Sequence, residues 1–166
     1  LPGMRARGAG RIIQISSILG LAAMPYRGAY NASKFALEGI TDTLRLELAG
    51  SGIHVSLVEP GPIRSRFRAN ALEMFKRHID REHSAHRDRY RGVLQRLEKA
   101  GPANPFTRSP EAVLRRVIHA LEHPRPKIRY YVTPPTYLFA AFRRLLPAGQ
   151  LDRILTAISR SENRET

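Results

Sequence analysis

Two short apolar runs, separated by a long helical stretch, constrain the fold of this chain more than any other feature. The runs, residues 11–16 and 53–59, are rich in Ile, Leu and Val, and residues 30–49 between them have a helical pattern. Strands that are apolar on both faces and joined by helices indicate a parallel sheet with helices on both sides. The sequence therefore predicts an α/β fold with a doubly wound parallel sheet.

Beyond residue 59 the chain is predicted to continue within the same domain. Residues 65–100 are highly charged and are expected to be helical in parts, up to a break at residues 101–105. A helix is predicted to begin at Ser109-Pro110-Glu111, with the serine as its cap, and to end at His123-Pro124. The remaining predicted elements are a strand over residues 128–133 closed off by Pro134 and Pro135, helices over residues 137–146 and 149–159, and a frayed tail over residues 161–166.

Ser17, Tyr30 and Lys34 are the candidate catalytic residues. A tyrosine and a lysine four residues apart on a helix lie one turn apart on the same face. The lysine ammonium would then favour the phenolate form of Tyr30, as a general acid or base requires. Ser17 would supply a hydroxyl that holds a substrate oxygen. Taken singly, such a tyrosine is usually a packed aromatic and such a lysine is usually solvated.

The second strand is followed at once by Pro60-Gly61, and the first ends at Ser17. Carboxyl ends of parallel strands meet at one edge of a sheet, so these residues are expected to lie together. A Pro-Gly pair alone would be a plain turn. The serine, the Tyr-x-x-x-Lys spacing and the downstream Pro-Gly turn together resemble the short-chain dehydrogenase/reductase family. Within it, residues 126–133 and 143–147 resemble the branch of bacterial NADP-dependent aldehyde reductases and retinol- or hydroxysteroid-dehydrogenase-like enzymes.

The resemblance implies a Rossmann-type fold and hydride transfer between NADP(H), or alternatively NAD(H), and an aldehyde, ketone or alcohol. Tyr30 would be the general acid/base, and Lys34 would also hold the ribose hydroxyls of the cofactor. Gly61 would let the backbone approach the nicotinamide ring, because it has no Cβ. The implied cofactor-binding residues are Tyr30, Lys34, Pro60, Gly61, Ile63 and Ser65. Residues 65–100 would form a substrate lid, and Met24, Pro25 and Tyr26 are candidates for the substrate wall, with loop packing as the alternative.

The resemblance extends over residues 1–159 but corresponds only to the later part of a family member. The family begins with a strand and a glycine-rich turn, whereas Gly8 and Gly10 precede a strand here. Residues 1–160 are therefore interpreted as the C-terminal part of a single Rossmann domain. The alternative is a truncated, catalytically silent fragment that only binds a partner or misfolds, because its first strand would be an unpaired sheet edge.

Composition excludes several function classes. The chain has 166 residues and no cysteine, so disulfides, thiolate chemistry and cysteine-based zinc sites are excluded. No segment resembles a signal peptide or a membrane span, and a cytoplasmic location is expected. The formal net charge is +14, but the arginines are scattered along the whole chain, which argues against a nucleic-acid surface.

Two further features leave alternatives open. The helix that carries Tyr30 has more apolar side chains than one contact face requires, namely Phe35, Leu37, Ile40, Leu44 and Leu48. They indicate either a homo-oligomer, as the resemblance implies, or simple burial against the sheet. The lid region contains His78, His83 and His86, but their i, i+5, i+8 spacing does not converge on one ion. A solvated lid is therefore favoured over a metal site.

Overall fold

A computed structural model describes residues 1–102 and 104–162 of the chain. The elements follow in the order α1 (Pro2–Arg7), β1 (Gly10–Ile15), a 3₁₀ turn (Ile18–Gly20), α2 (Gly28–Glu47), β2 (Ile53–Glu59), α3 (Phe67–His78), α4 (Arg87–Glu98), α5 (Glu111–Glu122), β3 (Arg129–Tyr131), α6 (Pro134–Leu145) and α7 (Ala148–Glu162).

The three strands form one parallel sheet in the order β1-β2-β3. Gly10 to Ile15 of β1 pair in register with Ile53 to Val58 of β2, and Leu57 to Glu59 pair with β3. This arrangement confirms the predicted parallel α/β fold.

Helices cover both faces of the sheet. On one face, Leu48 at the end of α2 packs with Ile53 and Val55 of β2. On the other face, Ala120 of α5 packs with Val58 of β2 and with a tyrosine of β3. Successive strand residues point to opposite faces, so this alternation places α2 and α5 on opposite sides, as in a doubly wound fold.

A third apolar cluster secures the loop that follows β1. Leu19, Ala22 and Met24 of this loop pack with Phe139 of α6 and Leu155 of α7. The C-terminal helices therefore fix the segment between the first strand and α2. In the described part of the chain, no helix is both long enough and apolar enough to cross a bilayer.

Several predicted boundaries are confirmed and others are wrong. Strand β2 has the predicted bounds, and α3 and α4 confirm that residues 65–100 are helical in parts. Pro134 and Pro135 begin α6 rather than only closing a strand, because proline suits the first turn of a helix, where the N–H would have no partner. As a result β3 is only three residues long.

The predicted ends of two other helices also need correction. The serine cap of α5 is wrong, since Pro110 occupies the cap position and no side chain caps the helix. The predicted fraying is wrong for residues 161 and 162, because α7 continues through Glu162. Residues 163–166 of the predicted tail lie outside the described residues.

Candidate active site

The loops that leave β1 and β2 lie side by side at the carboxyl edge of the sheet. The N–H of Ser16 donates to the carbonyl of Val58 at 2.8 Å, and the N–H of Ile18 donates to the carbonyl of Pro60 at 2.8 Å. Hydrogen bonding between the two chains therefore continues past the strands. It holds the residues around Ser17 beside the start of the Pro-Gly turn.

Ser17 is buried, with 8% of its surface exposed, and it caps the short 3₁₀ turn. Its Oγ accepts the N–H of Leu19 at 3.1 Å. A serine hydroxyl also carries one hydrogen, so Ser17 can still donate a hydrogen bond. The cap fixes the oxygen in place and leaves its proton for another acceptor.

Tyr30 and Lys34 lie next to each other on the first turns of α2. The Nζ of Lys34 is 5.6 Å from the centre of the Tyr30 ring, which is within cation–π range. The same Nζ donates to the carbonyl of Ile15, the last residue of β1, at 3.0 Å. Lys34 therefore ties the face of α2 that carries Tyr30 to the carboxyl end of the first strand.

Tyr30 is half-buried between the core and the lid region. It packs against the cluster that contains Leu19 and Met24, and its ring centre lies 5.1 Å from that of Phe67 in α3. Leu19 is two residues from Ser17, so Ser17 and Tyr30 both lie beside this apolar cluster. The structure thus brings Ser17, Tyr30 and Lys34 to the same end of the sheet.

Asn31 is a site residue that the sequence analysis missed. It is buried beside Tyr30, and its Nδ2 donates to the carbonyl of Met24 at 2.9 Å. Its Oδ1 is buried without a hydrogen-bond partner among the described residues. Asn31 therefore holds the loop after Ser17 against the helix that carries Tyr30. Its place next to Tyr30 in the sequence is the signal that could have identified it.

The candidate substrate-wall residues separate into two groups. Met24 is only 7% exposed and belongs to the apolar cluster, which favours the loop-packing alternative for this residue. Pro25 is exposed. Tyr26 is 41% exposed and adopts a left-handed backbone conformation, with a φ of 61°. Its ring lies 6.1 Å from that of Tyr90 in α4, so Tyr26 is the member of this loop that meets the lid region.

Residues 62–64, which follow β2, have backbone N–H and carbonyl groups on two opposite sides, and one side bonds to Arg108. The Pro62 carbonyl accepts the N–H of Arg108 at 3.0 Å, and the N–H of Arg64 donates to the Arg108 carbonyl at 2.8 Å. In extended backbone, neighbouring residues point their N–H groups in opposite directions. The N–H of Ile63 therefore points away from Arg108. Ser65 is exposed, and its Oγ accepts the N–H of Phe67 at 3.3 Å.

Gly61 faces two threonines rather than open space. A Cβ built on Gly61 would lie 2.1 Å from the Oγ1 of Thr133 and 2.9 Å from the Oγ1 of Thr136. Both threonines are fully buried, and their hydroxyl oxygens are 3.1 Å apart. The family resemblance implies that Gly61 lets a nicotinamide ring approach the backbone. Within the chain itself, contact with Thr133 already requires glycine at this position.

An ionic cluster lies next to the Pro-Gly turn that follows β2, and it was not predicted from the sequence. The guanidinium of Arg129 in β3 forms ion pairs with Glu38 and Asp42 of α2 and donates a hydrogen bond to Glu59 of β2. Glu59 is fully buried, and it immediately precedes Pro60. The cluster therefore joins α2, β2 and β3 at the carboxyl edge of the sheet.

The pKa values of two carboxyl groups in this cluster are shifted in opposite directions. Burial, followed by the nearby charge of Glu38, raises the pKa of Glu59 to about 8. Burial also acts to raise the pKa of Asp42, but Arg45 and Arg129 outweigh it and lower that pKa below its usual value. A charged residue in an otherwise apolar strand was the sequence signal for Glu59. Glu38, one turn after Lys34 on the same helix face, was the second signal.

Residues 65–100, which were predicted to form a lid, contain α3 and α4, and these two helices pack against each other. The ring of Phe75 lies 5.2 Å from that of Tyr90, and the Nζ of Lys76 donates to the carboxylate of Glu98 at 2.8 Å. His83 contacts Asp80, with 2.8 Å between Nδ1 and Oδ2. No group of three or more potential metal ligands occurs among residues 1–102 and 104–162.

Comparisons with known proteins point to one family. The model of the family described as short chain dehydrogenase matches residues 1–76. The oxidoreductase YbbO of Escherichia coli K12 is 44% identical over 155 residues, which cover 93% of this chain and 51% of that protein. The NADPH-dependent 3-dehydrocapnine reductase of Ornithobacterium rhinotracheale is 35% identical over 150 residues, covering 90% and 50%. The chain thus spans about half the length of these curated relatives.

Solved structures agree on the fold. A short chain dehydrogenase from Burkholderia cenocepacia J2315, in complex with NADP, has a TM-score of 0.63 at 21% identity, covering 93% of this chain and 52% of that one. L-sorbose reductase from Gluconobacter frateurii, complexed with NADPH and L-sorbose, has a TM-score of 0.53 at 27% identity, covering 79% and 48%.

Proposed function

The chain belongs to the short-chain dehydrogenase/reductase family, and on that premise we propose that it forms the catalytic part of an NADP(H)-dependent oxidoreductase. The reaction is a reversible hydride transfer between the cofactor and a carbonyl or alcohol carbon. The observation that carries this proposal is the Tyr30–Lys34 pair at the end of β1. There the Lys34 Nζ lies 5.6 Å from the Tyr30 ring centre and donates to the Ile15 carbonyl.

Three side chains carry the proton chemistry in this proposal. Ser17 donates a hydrogen bond from its hydroxyl to the substrate oxygen, while its own oxygen accepts the Leu19 N–H. Tyr30 gives a proton to that oxygen during reduction and takes it back during oxidation. Lys34 holds its ammonium 5.6 Å from the Tyr30 ring centre, on the helix face that carries the proton donor. When bound, the cofactor supplies the hydride.

Residues after β2 fit a nicotinamide cofactor. The N–H of Ile63 points away from the bridge to Arg108, in a direction from which it could donate to a carboxamide oxygen. We propose that Pro60, Gly61, Ile63 and Ser65 border the ring and that Lys34 also holds the ribose. NADP is favoured over NAD because the names of several similar proteins specify NADP or NADPH.

The substrate is proposed to be an aldehyde, a ketone or the corresponding alcohol, held between Tyr30 and the lid. Tyr26 and Phe67 are the aromatic side chains that approach this space from the two sides, and both are exposed. The relatives include a hydroxysteroid dehydrogenase, 17-beta-hydroxysteroid dehydrogenase type 1 of Homo sapiens, at 35% identity over 136 residues, 80% of this chain and 40% of that protein. An aldehyde reductase remains our specific proposal.

We propose a homo-oligomer through α2. Leu48 and Leu44 of this helix pack on the sheet, whereas Ile40 is 63% exposed and Leu46 is 68% exposed. Burial against the sheet therefore uses only part of the apolar surface of α2. The apolar side chains of α2 that remain exposed support the proposal that a second copy of the chain packs against this helix.

The 166-residue chain alone is expected to be catalytically silent. It covers about half of the length of its relatives, and no glycine-rich turn follows a strand in its sequence. Such a turn binds the pyrophosphate of a dinucleotide at a helix N-terminus. The residues described above would then supply the proton chemistry only in a longer protein.

The proposal is tested by NADPH oxidation with medium-chain and aromatic aldehydes. We would compare this chain, a longer form of the same reading frame, and that longer form carrying Tyr30→Phe. Loss of a general acid should lower kcat by about 10²–10⁴-fold while NADPH binding remains. The matched control is Tyr137→Phe, since Tyr137 is an exposed tyrosine on α6. Absence of NADPH binding in the longer form would overturn the proposal.

A further inference from the structure

Three arginines lie on the elements that meet at the start of α2. Arg27 is the cap residue of α2, three positions before Tyr30. Arg68 follows Phe67 on α3, and Arg96 lies on α4. We call Arg27, Arg68 and Arg96 the arginine cluster.

Arg96 is partly buried, and it forms no ion pair within residues 1–102 and 104–162. Its Nε is buried without a hydrogen-bond partner in the described part of the chain. Burial, and then the positive charges of Arg27 and Arg68, lower the pKa of Arg96 to about 10. Glu162 acts in the opposite direction. Arg96 is therefore held close to two other cations in a partly desolvated position.

The protein partners of the other two arginines neutralise little of this charge. Arg27 forms an ion pair with Glu162, the last described residue of α7, and Arg68 donates to the carbonyl of Gly101. Among the described residues, three guanidinium groups thus share one carboxylate and one neutral carbonyl. Burying cations without an opposite charge is costly, and a bound anion would offset that cost.

The backbone segments of Arg27 and Arg68 lie near Tyr30. The Phe67 ring, next to Arg68, lies 5.1 Å from the Tyr30 ring. Tyr26, next to Arg27, contacts Tyr90 of α4 with 6.1 Å between ring centres. These two contacts bring the segments that carry Arg27 and Arg68 close to Tyr30 and to α4.

We propose that the arginine cluster binds a carboxylate or phosphate group carried by the substrate, so that the substrate is an anionic aldehyde or ketone. Guanidinium groups suit both anions, because their N–H donors match the geometry of two anion oxygens. The inference rests on the proposed function, since that function supplies the carbonyl. The anionic group would anchor the far end of the molecule while its carbonyl faces Tyr30.

Ligand binding tests the site without cofactor or turnover. Sodium hexanoate and hexyl phosphate would be titrated into the 166-residue chain by calorimetry, with hexan-1-ol as the neutral counterpart. We expect at least one anion to bind about tenfold more tightly than the alcohol, which corresponds to one charge-assisted hydrogen bond. The tighter of the two anions identifies the group that the site accepts.

Variants then assign the binding to these residues. Arg96→Gln should weaken anion binding about tenfold, and Arg96→Lys should retain part of it, because lysine keeps the charge without the planar fork. Arg68→Gln serves the same purpose if circular dichroism shows that Arg96→Gln is unfolded. The matched control is Arg116→Gln, since Arg116 is an exposed arginine on α5.

Two results would overturn this inference. One is equal affinity for the anions and for hexan-1-ol. The other is equal weakening by Arg116→Gln and by the cluster variants, which would mean attraction to the net charge alone. Neither result depends on the reductase assay. Failure of the oxidoreductase proposal can therefore be distinguished from failure of the anion site.

Discussion

At the level of single residues, Gly61 must lack a Cβ for the fold as well as for the proposed cofactor site. Its α-carbon faces the Oγ1 of Thr133, and an added Cβ would lie 2.1 Å from that oxygen. Thr133 is fully buried, so it has little room to yield. The Pro-Gly turn is therefore fixed against the start of α6 before any ligand binds.

Gly61→Ala is expected to lower the free energy of unfolding by about 1–3 kcal/mol, the usual cost of overpacking a buried site. Urea denaturation would measure the change. The matched control is Gly149→Ala, because no atom lies within 4 Å of a Cβ at Gly149. Adding Thr133→Ala to Gly61→Ala should restore part of the loss. Equal costs at the two glycines would show that the contact with Thr133 is not the cause.

At the level of elements, the ionic cluster around Arg129 determines how α2 sits on the sheet. Arg129 of β3 contacts Glu38 and Asp42 of α2 and also Glu59 of β2. Glu38 lies on the helix face of Tyr30 and Lys34, since the three positions are four residues apart. The ionic cluster thus orients the helix face that carries the proposed proton chemistry.

The cluster predicts an unusual dependence of stability on pH. Burial and the charge of Glu38 raise the pKa of Glu59 to about 8 from an ordinary value of 4.5. The folded state then holds a proton that the unfolded state has lost, so stability falls as pH rises from about 4.5 to about 8. One pKa unit corresponds to about 1.4 kcal/mol, and a loss of a few kcal/mol is expected across this window.

Urea denaturation at a series of pH values would measure this loss, with Glu59→Gln as the test variant. The glutamine stays neutral, so the decline between pH 4.5 and 8 should largely disappear. Glu98→Gln is the control, because Glu98 forms an exposed ion pair with Lys76 and such pairs contribute little. A native chain whose stability is flat or rises over this range would contradict the prediction.

Local patterns predicted the strands and the candidate catalytic residues, but they could not predict the ionic cluster. Strand β2 was bounded correctly because its apolar run is nearly continuous, and Tyr30 and Lys34 were proposed from their helical spacing together with Ser17 and the Pro-Gly turn. Arg129 is separated from Glu38 by 91 positions. Only the tertiary fold brings such residues together, and a charged side chain in sequence gives no sign of its partner.

For the whole molecule, we expect the exposed β1 edge of the described sheet to control association. In the described sheet β1 pairs with β2 alone, and Ile15 near its end is 44% exposed. The N–H of Ser16 points toward β2, so by alternation the N–H of Ile15 points to the open edge. An edge strand with free N–H groups and apolar side chains is a site for pairing with another chain.

Ile15→Pro is therefore expected to reduce association of the 18.7 kDa chain, because proline removes an outward N–H and an exposed apolar side chain together. Sedimentation velocity over a range of concentrations would show the loss of species larger than a dimer, while the circular dichroism spectrum stays native. Gln14→Pro is the informative contrast. The Gln14 N–H points toward β2 by the same alternation, so this variant should unfold the sheet edge instead. If Ile15→Pro left association unchanged, the exposed surface of α2 rather than the β1 edge would be the site of contact.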